Sequence, residues 1–366
     1  MLTCVLSVRA LSWRTQLTVS NTQPRPRGVT LEEVARLAGV SRATVSRVVN
    51  GSPRVSGDVR RSVETAVEKL GYVPNRAARS LVTRRSGSIA VVITEPTGRL
   101  FSDPFFPRLL RGISTTVAAR DVQVVLLMPE TIGDSQRTAD YLVAGHVDGA
   151  ILVSLHGDDP LPGRIIDARI ATVVVGRPLR NRGVSYVDVD NRGGARNAVE
   201  DLIAGGRRVI ASIGGPADMM ASQDRLHGYR DALVAAGLGA DPTLEAAADF
   251  TQDGGAAAMR QLLAARPDLD AVFAASDLMA AGAMSVLDAA GRRVPEDVAI
   301  VGYDDSPVAA TARPPLTSVR QPIEEMGQES ARLLLELVED ADRAPRRVIL
   351  TTELIRRASS AGRAMP

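Results

Sequence analysis

The densest set of groups able to read a nucleic acid is Val40-Ser41-Arg42-Ala43-Thr44-Val45-Ser46-Arg47-Val48-Val49-Asn50. At helical spacing Val45, Val48 and Val49 face inward, which leaves Arg42, Ala43, Thr44, Ser46, Arg47 and Asn50 available on the other side. An arginine fork can make two hydrogen bonds to a guanine, and serine or threonine hydroxyls suit phosphates or base edges. A second set lies far along the chain. Arg225 opens the helix-like stretch Arg225-Leu226-His227-Gly228-Tyr229, and Asp304 follows the apolar run Val298–Val301. Polar groups just beyond strand ends face the cleft of an open α/β sheet. A guanidinium and a carboxylate there suit a hydroxyl-rich ligand; the plain alternative is a surface ion pair. Arg225 is expected to clamp a ligand while contributing little to folding. Phe105, Phe106 and Phe250 are candidates to stack on a flat ligand face, although most such aromatics are core.

Other chemistry is poorly supported. Cys4 is the single cysteine, which suits a reducing cytoplasm and excludes a cysteine-based metal site or an internal disulfide. His146, His156 and His227 form no ligand-spaced cluster, so no catalytic metal is expected. No dinucleotide fingerprint follows Ile89–Thr94, and there is neither a P-loop nor a G-x-S-x-G elbow. Asp304-Asp305 is a poor acid/base pair because adjacent side chains need not converge. No enzyme, cofactor or metal is therefore expected, and no run approaches the roughly 18 apolar residues of a membrane span.

The elements that must position these groups begin at Thr30. Thr30-Leu31-Glu32-Glu33 is a capping box opening a helix from Leu31 to Ala38, which Gly39 ends. Ser41 caps a second helix, Arg42 to Asn50. The short connection forces a steep crossing, as in a helix-turn-helix. Ser56 caps a third helix ending at Leu70-Gly71, whose Val59, Val63, Ala66, Val67 and Leu70 close a small core. Pro74 stops this domain, assigned to residues 29–74. Residues 75–87 read as a hinge helix and linker, too short to be stably helical alone. Leu81 in that basic segment has two readings, a wedge between base pairs or a leucine packed under the following domain; the residues alone favour packing. Residues 1–28 fit nothing that follows and read as a disordered extension or a start codon placed too early, without a clean secretory signal.

From Ser88 onward the runs Ile89–Thr94, Val122–Met128, Ala150–Ser154, Thr172–Val175, Val184–Val189, Val209–Ile213, Ala271–Ala275 and Val298–Val301 alternate mostly with helical segments. Near-continuous apolar strands separated by helices indicate parallel sheets covered on both faces. Residues 88–356 exceed one ordinary domain, so two lobes with a cleft are expected, followed by a tail over 357–366. Charge divides along the same line. Of the 366 residues, 25–85 carry a net charge of +8 and 86–366 carry −8, under an overall +2. A basic head on an acidic body is the electrostatic form of a nucleic-acid reader joined to another module.

These residues together resemble the lactose-repressor (LacI/GalR) family of transcriptional regulators. The resemblance rests on Val29-Thr30-Leu31-Glu32-Glu33-Val34-Ala35, Ala38-Gly39-Val40-Ser41, Ala43 to Gly51 and Gly71-Tyr72-Val73-Pro74-Asn75 with Ala77, Ala78 and Leu81. It continues through Asp103-Pro104-Phe105-Phe106, Val147-Asp148-Gly149, Ile213-Gly214-Gly215-Pro216, Val294 to Val298 and Val301-Gly302-Tyr303-Asp304-Asp305. The fold it implies is an all-α helix-turn-helix head plus an α/β two-lobed, periplasmic-binding-protein-like sensing domain. Crossovers are implied near Tyr186–Asn191 and Ala312–Gln321, with a late return near Pro345–Arg347. A homodimer on a near-palindromic operator is implied. Arg42 and Ala43 match the principal base-reading positions, and Thr30, Ser41, Thr44, Ser46, Arg47, Asn50, Arg54, Asn75, Arg76 and Ala78 match supporting DNA contacts. Leu81 matches the hinge leucine that wedges into the central minor groove, which reverses the packing reading. Phe105, Phe106, Arg177, Arg225, Phe250, Ser276 and Asp304 match effector contacts. Gly176 and Ser276 depart from the Asp and Asn common in the family, which weakens the implication of a simple sugar effector. The function implied is a sequence-specific regulator, a repressor released by a small polar effector such as a sugar. The competing class is a solute-binding receptor using the same cleft, against which residues 29–82 argue.

Overall fold

The computed structural model of the chain describes residues 29–49, 51–73, 85–157, 159–179 and 183–361. The expectations for Asn50, Asn75, Arg76, Ala78 and Leu81, and for the segment 1–28, fall outside these residues. The chain divides into two compact units at Asn75–Arg76.

The first unit is helical: α1 (Leu31–Ala38), α2 (Arg42–Val49) and α3 (Gly57–Leu70). The capping box forms as expected. Glu33 N donates to Thr30 Oγ1 at 3.3 Å, and Thr30 N donates to Glu33 Oε2 at 2.7 Å. Gly39 ends α1 at φ 68°, a left-handed conformation that glycine adopts without strain. Ser41 caps α2 by accepting from Thr44 N at 3.1 Å. The expectation for Ser56 is corrected: it occupies the cap position of α3 with extended backbone, but its side chain makes no capping hydrogen bond. Val34, Ala35, Val45, Val48, Val63 and Ala66 form the buried core, with Val49 at its edge.

The second unit holds two six-stranded sheets among its described residues, ordered β11-β5-β4-β3-β1-β2 and β12-β10-β9-β8-β6-β7. The strands of the first are β1 (Ser88–Ile93), β2 (Gln123–Leu127), β3 (Gly149–Val153), β4 (Ala171–Val175), β5 (Ser185–Val189) and β11 (Arg347–Leu350). Those of the second are β6 (Ile210–Gly214), β7 (Glu245–Ala247), β8 (Ala271–Ala274), β9 (Ala299–Asp304), β10 (Thr317–Arg320) and β12 (Glu353–Ile355). Every pairing is parallel except β10 with β12. Helices on both faces explain the uninterrupted apolar strands. In β1, Ile89, Val91 and Ile93 join the core on one face, while Ala90 and Val92 join that on the other.

The chain passes between lobes at Val189–Asn191, at Arg320–Ile323 and at Leu350–Glu353. The first two lie at the ends of the expected crossovers. The third is a correction: Pro345–Arg347 leads into β11 of the first lobe, and the return comes after Leu350. Within the first lobe the helices Phe105–Ala118 and Ile323–Glu339 meet at Gly112 and Gly327, where a Cβ on either would overlap the other helix's backbone.

Candidate ligand cleft and nucleic-acid interface

Each sheet reverses its direction of growth once, between β1 and β3 in the first lobe and between β6 and β8 in the second. The loops beyond strand C-termini at such points form the crevices where α/β sheets bind ligands. Glu95, Ser154, His156, Gly176 and Arg177 come from the first lobe's loops, and Arg99 from the short helix Thr97–Ser102 after β1. Gly215, Asp218, Phe250, Ala275 and Asp304 come from the second. Ser154, Gly176 and Arg177 line a recess of about 90 Å³ that opens to solvent, together with Phe105, Leu155, Asp188, Asn191, Met219, Arg225 and Gln321.

Arg225 organises its floor. It lies within the helix Met220–Ala235 rather than opening it, and it is only 5% exposed. Its Nε donates to Asn191 Oδ1 at 2.9 Å and its Nη1 to the Ala275 carbonyl at 2.6 Å. The guanidinium stands 3.7 Å from the Tyr303 ring centroid and 3.8 Å from Asp304 Oδ1. Asn191 donates to Asp188 at 2.9 Å, so one hydrogen-bonded line runs from the first lobe's β5 through the first crossover to the end of β8. The expectation that Arg225 contributes little to folding is therefore corrected: a guanidinium this buried, with this many partners, is part of the fold.

Asp304 ends β9 at φ 107° and accepts from Gln321 Nε2 at 2.5 Å. Burial pushes its carboxyl well above the usual carboxylate range, with Arg225 opposing. Asp188 and Asp103 are raised by burial as well, although backbone N–H groups pull each of them back. The floor thus gathers a guanidinium, two amides and two carboxyl groups, both donors and acceptors of the kind that hold hydroxyls.

The remaining expected residues divide. Phe250, at φ 64°, sets the far edge of its ring against Gly215, where any Cβ would overlap it. The Arg99 guanidinium lies 4.9 Å from the Phe250 centroid and 5.7 Å from that of Phe106. Phe105 lines the recess and meets Phe106 edge-on at 5.4 Å, but Phe106 itself is wholly buried in the first lobe's core. Ser276 is buried and caps the helix Asp277–Ala289 by accepting from Met279 N at 3.2 Å, which leaves its O–H able to donate. Arg177 is exposed and pairs across the cleft with Asp224. Sequence reasoning missed Asn191, Gln321, Asp188, Glu95, Arg99, His156 and Asp218. Only Asn191 and Gln321 carried a signal, as the last residues of the two expected crossovers.

In the helical unit Ser41, Arg42, Ala43, Arg47 and Arg54 are exposed, while Thr30, Thr44 and Ser46 are half-buried. Arg42 pairs with Glu32 at 3.1 Å; both side chains are well exposed, so the pair opens readily. The Ser41 and Thr44 hydroxyls are 2.9 Å apart at the start of α2, where free backbone N–H groups favour an anion.

Comparison with known proteins agrees with both units. Residues 30–75 match the family model for bacterial regulatory proteins of the lacI family, and residues 199–360 match that for a periplasmic binding protein-like domain. The chain is 52% identical over 337 residues to the HTH-type transcriptional regulator CelR of Thermobifida fusca, covering 92% of this chain and 99% of that protein. It is 35% identical to the ribose operon repressor of Escherichia coli K12, over 90% of this chain and 99% of that one. Among solved structures, a CelR–cellobiose complex matches with a TM-score of 0.74 and 50% identity over 92% of this chain and 100% of that chain. The lac repressor dimer bound to operator and an anti-inducer matches with a TM-score of 0.81 and 28% identity over 91% and 99%. With a relative 52% identical along nine-tenths of its length and the lacI model matching its helical unit, the chain belongs to the lacI family of bacterial regulatory proteins as a DNA-binding transcriptional regulator.

Proposed function

We propose that this regulator is a homodimeric repressor whose effector is cellobiose or a closely related β-linked glucose disaccharide bound in the interlobe recess. The observation that carries the reading is the polar floor around Arg225, Asn191, Asp188 and Asp304, with Phe105 in its lining and the Phe250 ring 6.0 Å from the Arg225 guanidinium. Sugar recognition combines such a polar set with an apolar platform for the ring faces. The 52% identity to CelR, and a CelR structure that holds cellobiose, point to the disaccharide. Gly176, in place of the acidic residue common in the family, leaves space rather than a hydrogen-bond partner and favours a ligand larger than one pyranose. Calorimetric titration of the full-length protein with cellobiose, maltose, glucose and ribose tests this. Cellobiose is expected to bind at least tenfold more tightly than the others; ribose or maltose binding more tightly than cellobiose would refute the assignment.

On the DNA side, Arg42 and Ala43 are assigned to base edges. Thr30, Ser41, Thr44, Ser46, Arg47, Asn50, Arg54, Asn75, Arg76 and Ala78 are assigned to supporting contacts, and Leu81 to the central minor-groove step. The exposure of Ser41, Arg42, Ala43, Arg47 and Arg54 supports the assignments that fall on described residues.

A further inference from the structure

His156 follows β3 in the first lobe and has no role in the reading above. Its Nδ1 is 2.9 Å from Asp218 Oδ2, which belongs to the second lobe's loop after β6. Its Nε2 is 3.5 Å from Glu95 Oε1, on the first lobe's loop after β1. Glu95 is buried and also pairs with Arg99, whose guanidinium faces Phe250 of the second lobe. The two loops touch at this point: a Cβ on Gly157 would stand 3.6 Å from Asp218 Cβ. The imidazole is thus the centre of a charge bridge across the mouth of the cleft, with one carboxylate on each side.

We propose that His156 is a latch of the cleft, whose protonated imidazole ties Glu95 of one lobe to Asp218 of the other and so sets how firmly the closed lobes hold an effector. The proposal rests on the effector lying between the lobes. When the lobes part, Asp218 leaves with its own lobe and Glu95 stays. The closed form therefore binds the imidazole proton more tightly than the open form, and by linkage the protonated protein closes more readily. Glu95 and then Asp218 raise the imidazole to about 9 against the opposing cost of partial burial. Arg99, and Asp103 behind it at 3.8 Å, are the other charges facing this group from the first lobe, and Asp159 N donates to the His156 carbonyl at 3.3 Å. From the second lobe the facing charge is Asp218, beside the uncharged Phe250. Because the proton's affinity is raised by closure, its contribution is fully present below the open-form midpoint. It is lost as pH rises through the closed-form midpoint, so effector affinity falls between about pH 7 and 9.5. A second interlobe ion pair, Arg177–Asp224, contains no imidazole and serves as the control.

The chain has only 3 histidines, so the full-length protein labelled at histidine Cε1 gives a spectrum simple enough to titrate by NMR, with the His156 signal assigned from His156→Gln. In the unsubstituted protein His156 is expected to titrate well above the ordinary imidazole value, and in Asp218→Asn about one pH unit lower. Cellobiose affinity, measured by calorimetry, is expected to fall about tenfold from pH 7 to 9.5 and to change less than twofold in His156→Gln, with Arg177→Ala retaining the pH dependence. Identical His156 titrations with and without the Asp218 carboxylate would overturn the latch. So would a His156→Gln protein that keeps the full pH dependence. Absence of any cellobiose heat at pH 7, beside a His156 titration that does respond to Asp218→Asn, would instead refute the choice of effector and leave the interlobe bridge standing.

Discussion

Arg225 shows how far residue type and position carry an argument. That an arginine after β6 and an aspartate at the end of β9 would meet in a cleft was legible, because the ends of parallel strands and the loops beyond them converge there. That Arg225 would be buried was not, since Asn191, Ala275 and Tyr303 come from other segments and no local pattern announces them. Arg225→Ala should therefore abolish the effector response and also destabilise the protein by about 3–5 kcal/mol, because it strips a buried network of its cation. Chemical denaturation of the variant reads this directly; unchanged stability would mean the guanidinium is not held as described. Gly215→Ala separates ligand binding from folding more cleanly. The added methyl must push the Phe250 ring out of its place against Gly215, at about 1–3 kcal/mol of strain. Cellobiose affinity should fall at least tenfold while operator affinity without ligand is retained, as calorimetry and gel shift on the same preparation would report. Phe106 and Ser276 teach the opposite lesson. The resemblance placed them at contact positions; that one is also core and the other also caps a helix is a structural role a family position does not convey.

At the scale of elements, α1 and α2 were legible almost residue by residue, since a capping box, a glycine stop and an apolar stripe are all local signals. Thr30→Ala removes the hydroxyl that accepts from Glu33 N, while its own backbone N–H can still reach Glu33, and should cost about 1 kcal/mol of stability, seen as a lower urea midpoint. Arg42→Ala should change which half-site base is preferred, by about 1–3 kcal/mol of discrimination, whereas Arg47→Ala should weaken all sites evenly. Selection from a randomised operator library distinguishes them, and an unchanged preference with Arg42→Ala removes that residue from the reading set. Leu81→Ala, in the segment assigned from the sequence to a hinge, is expected to reduce DNA bending and the preference at the central step while leaving effector binding intact. The strands that escaped notice are β7, β10, β11 and β12. Two of them have three residues, β7 lacks β-branched side chains, and β10 and β12 owe their place to crossovers rather than to any pattern of their own.

For the whole molecule, the division of charge into a basic head and an acidic body was visible in composition, and it predicts operator binding that weakens steeply with salt as counterions are no longer released favourably. What composition does not convey is that the lobes are bridged by Arg177–Asp224, His156–Asp218 and Arg99–Phe250, contacts between residues far apart in sequence. Such bridges can be formed in one lobe arrangement and broken in another, and a ligand changes operator affinity only by binding the two arrangements unequally. The central claim is that a disaccharide in this cleft controls DNA binding, and the most direct measurement is fluorescence anisotropy of a labelled operator, selected by the full-length protein from random duplexes, with increasing cellobiose at fixed salt and pH. Saturating cellobiose is predicted to weaken operator binding by about 5–150-fold, the usual range of coupling between two sites, while maltose at the same concentration does not. Operator affinity that is unmoved by saturating cellobiose, or equally weakened by maltose, would contradict the account.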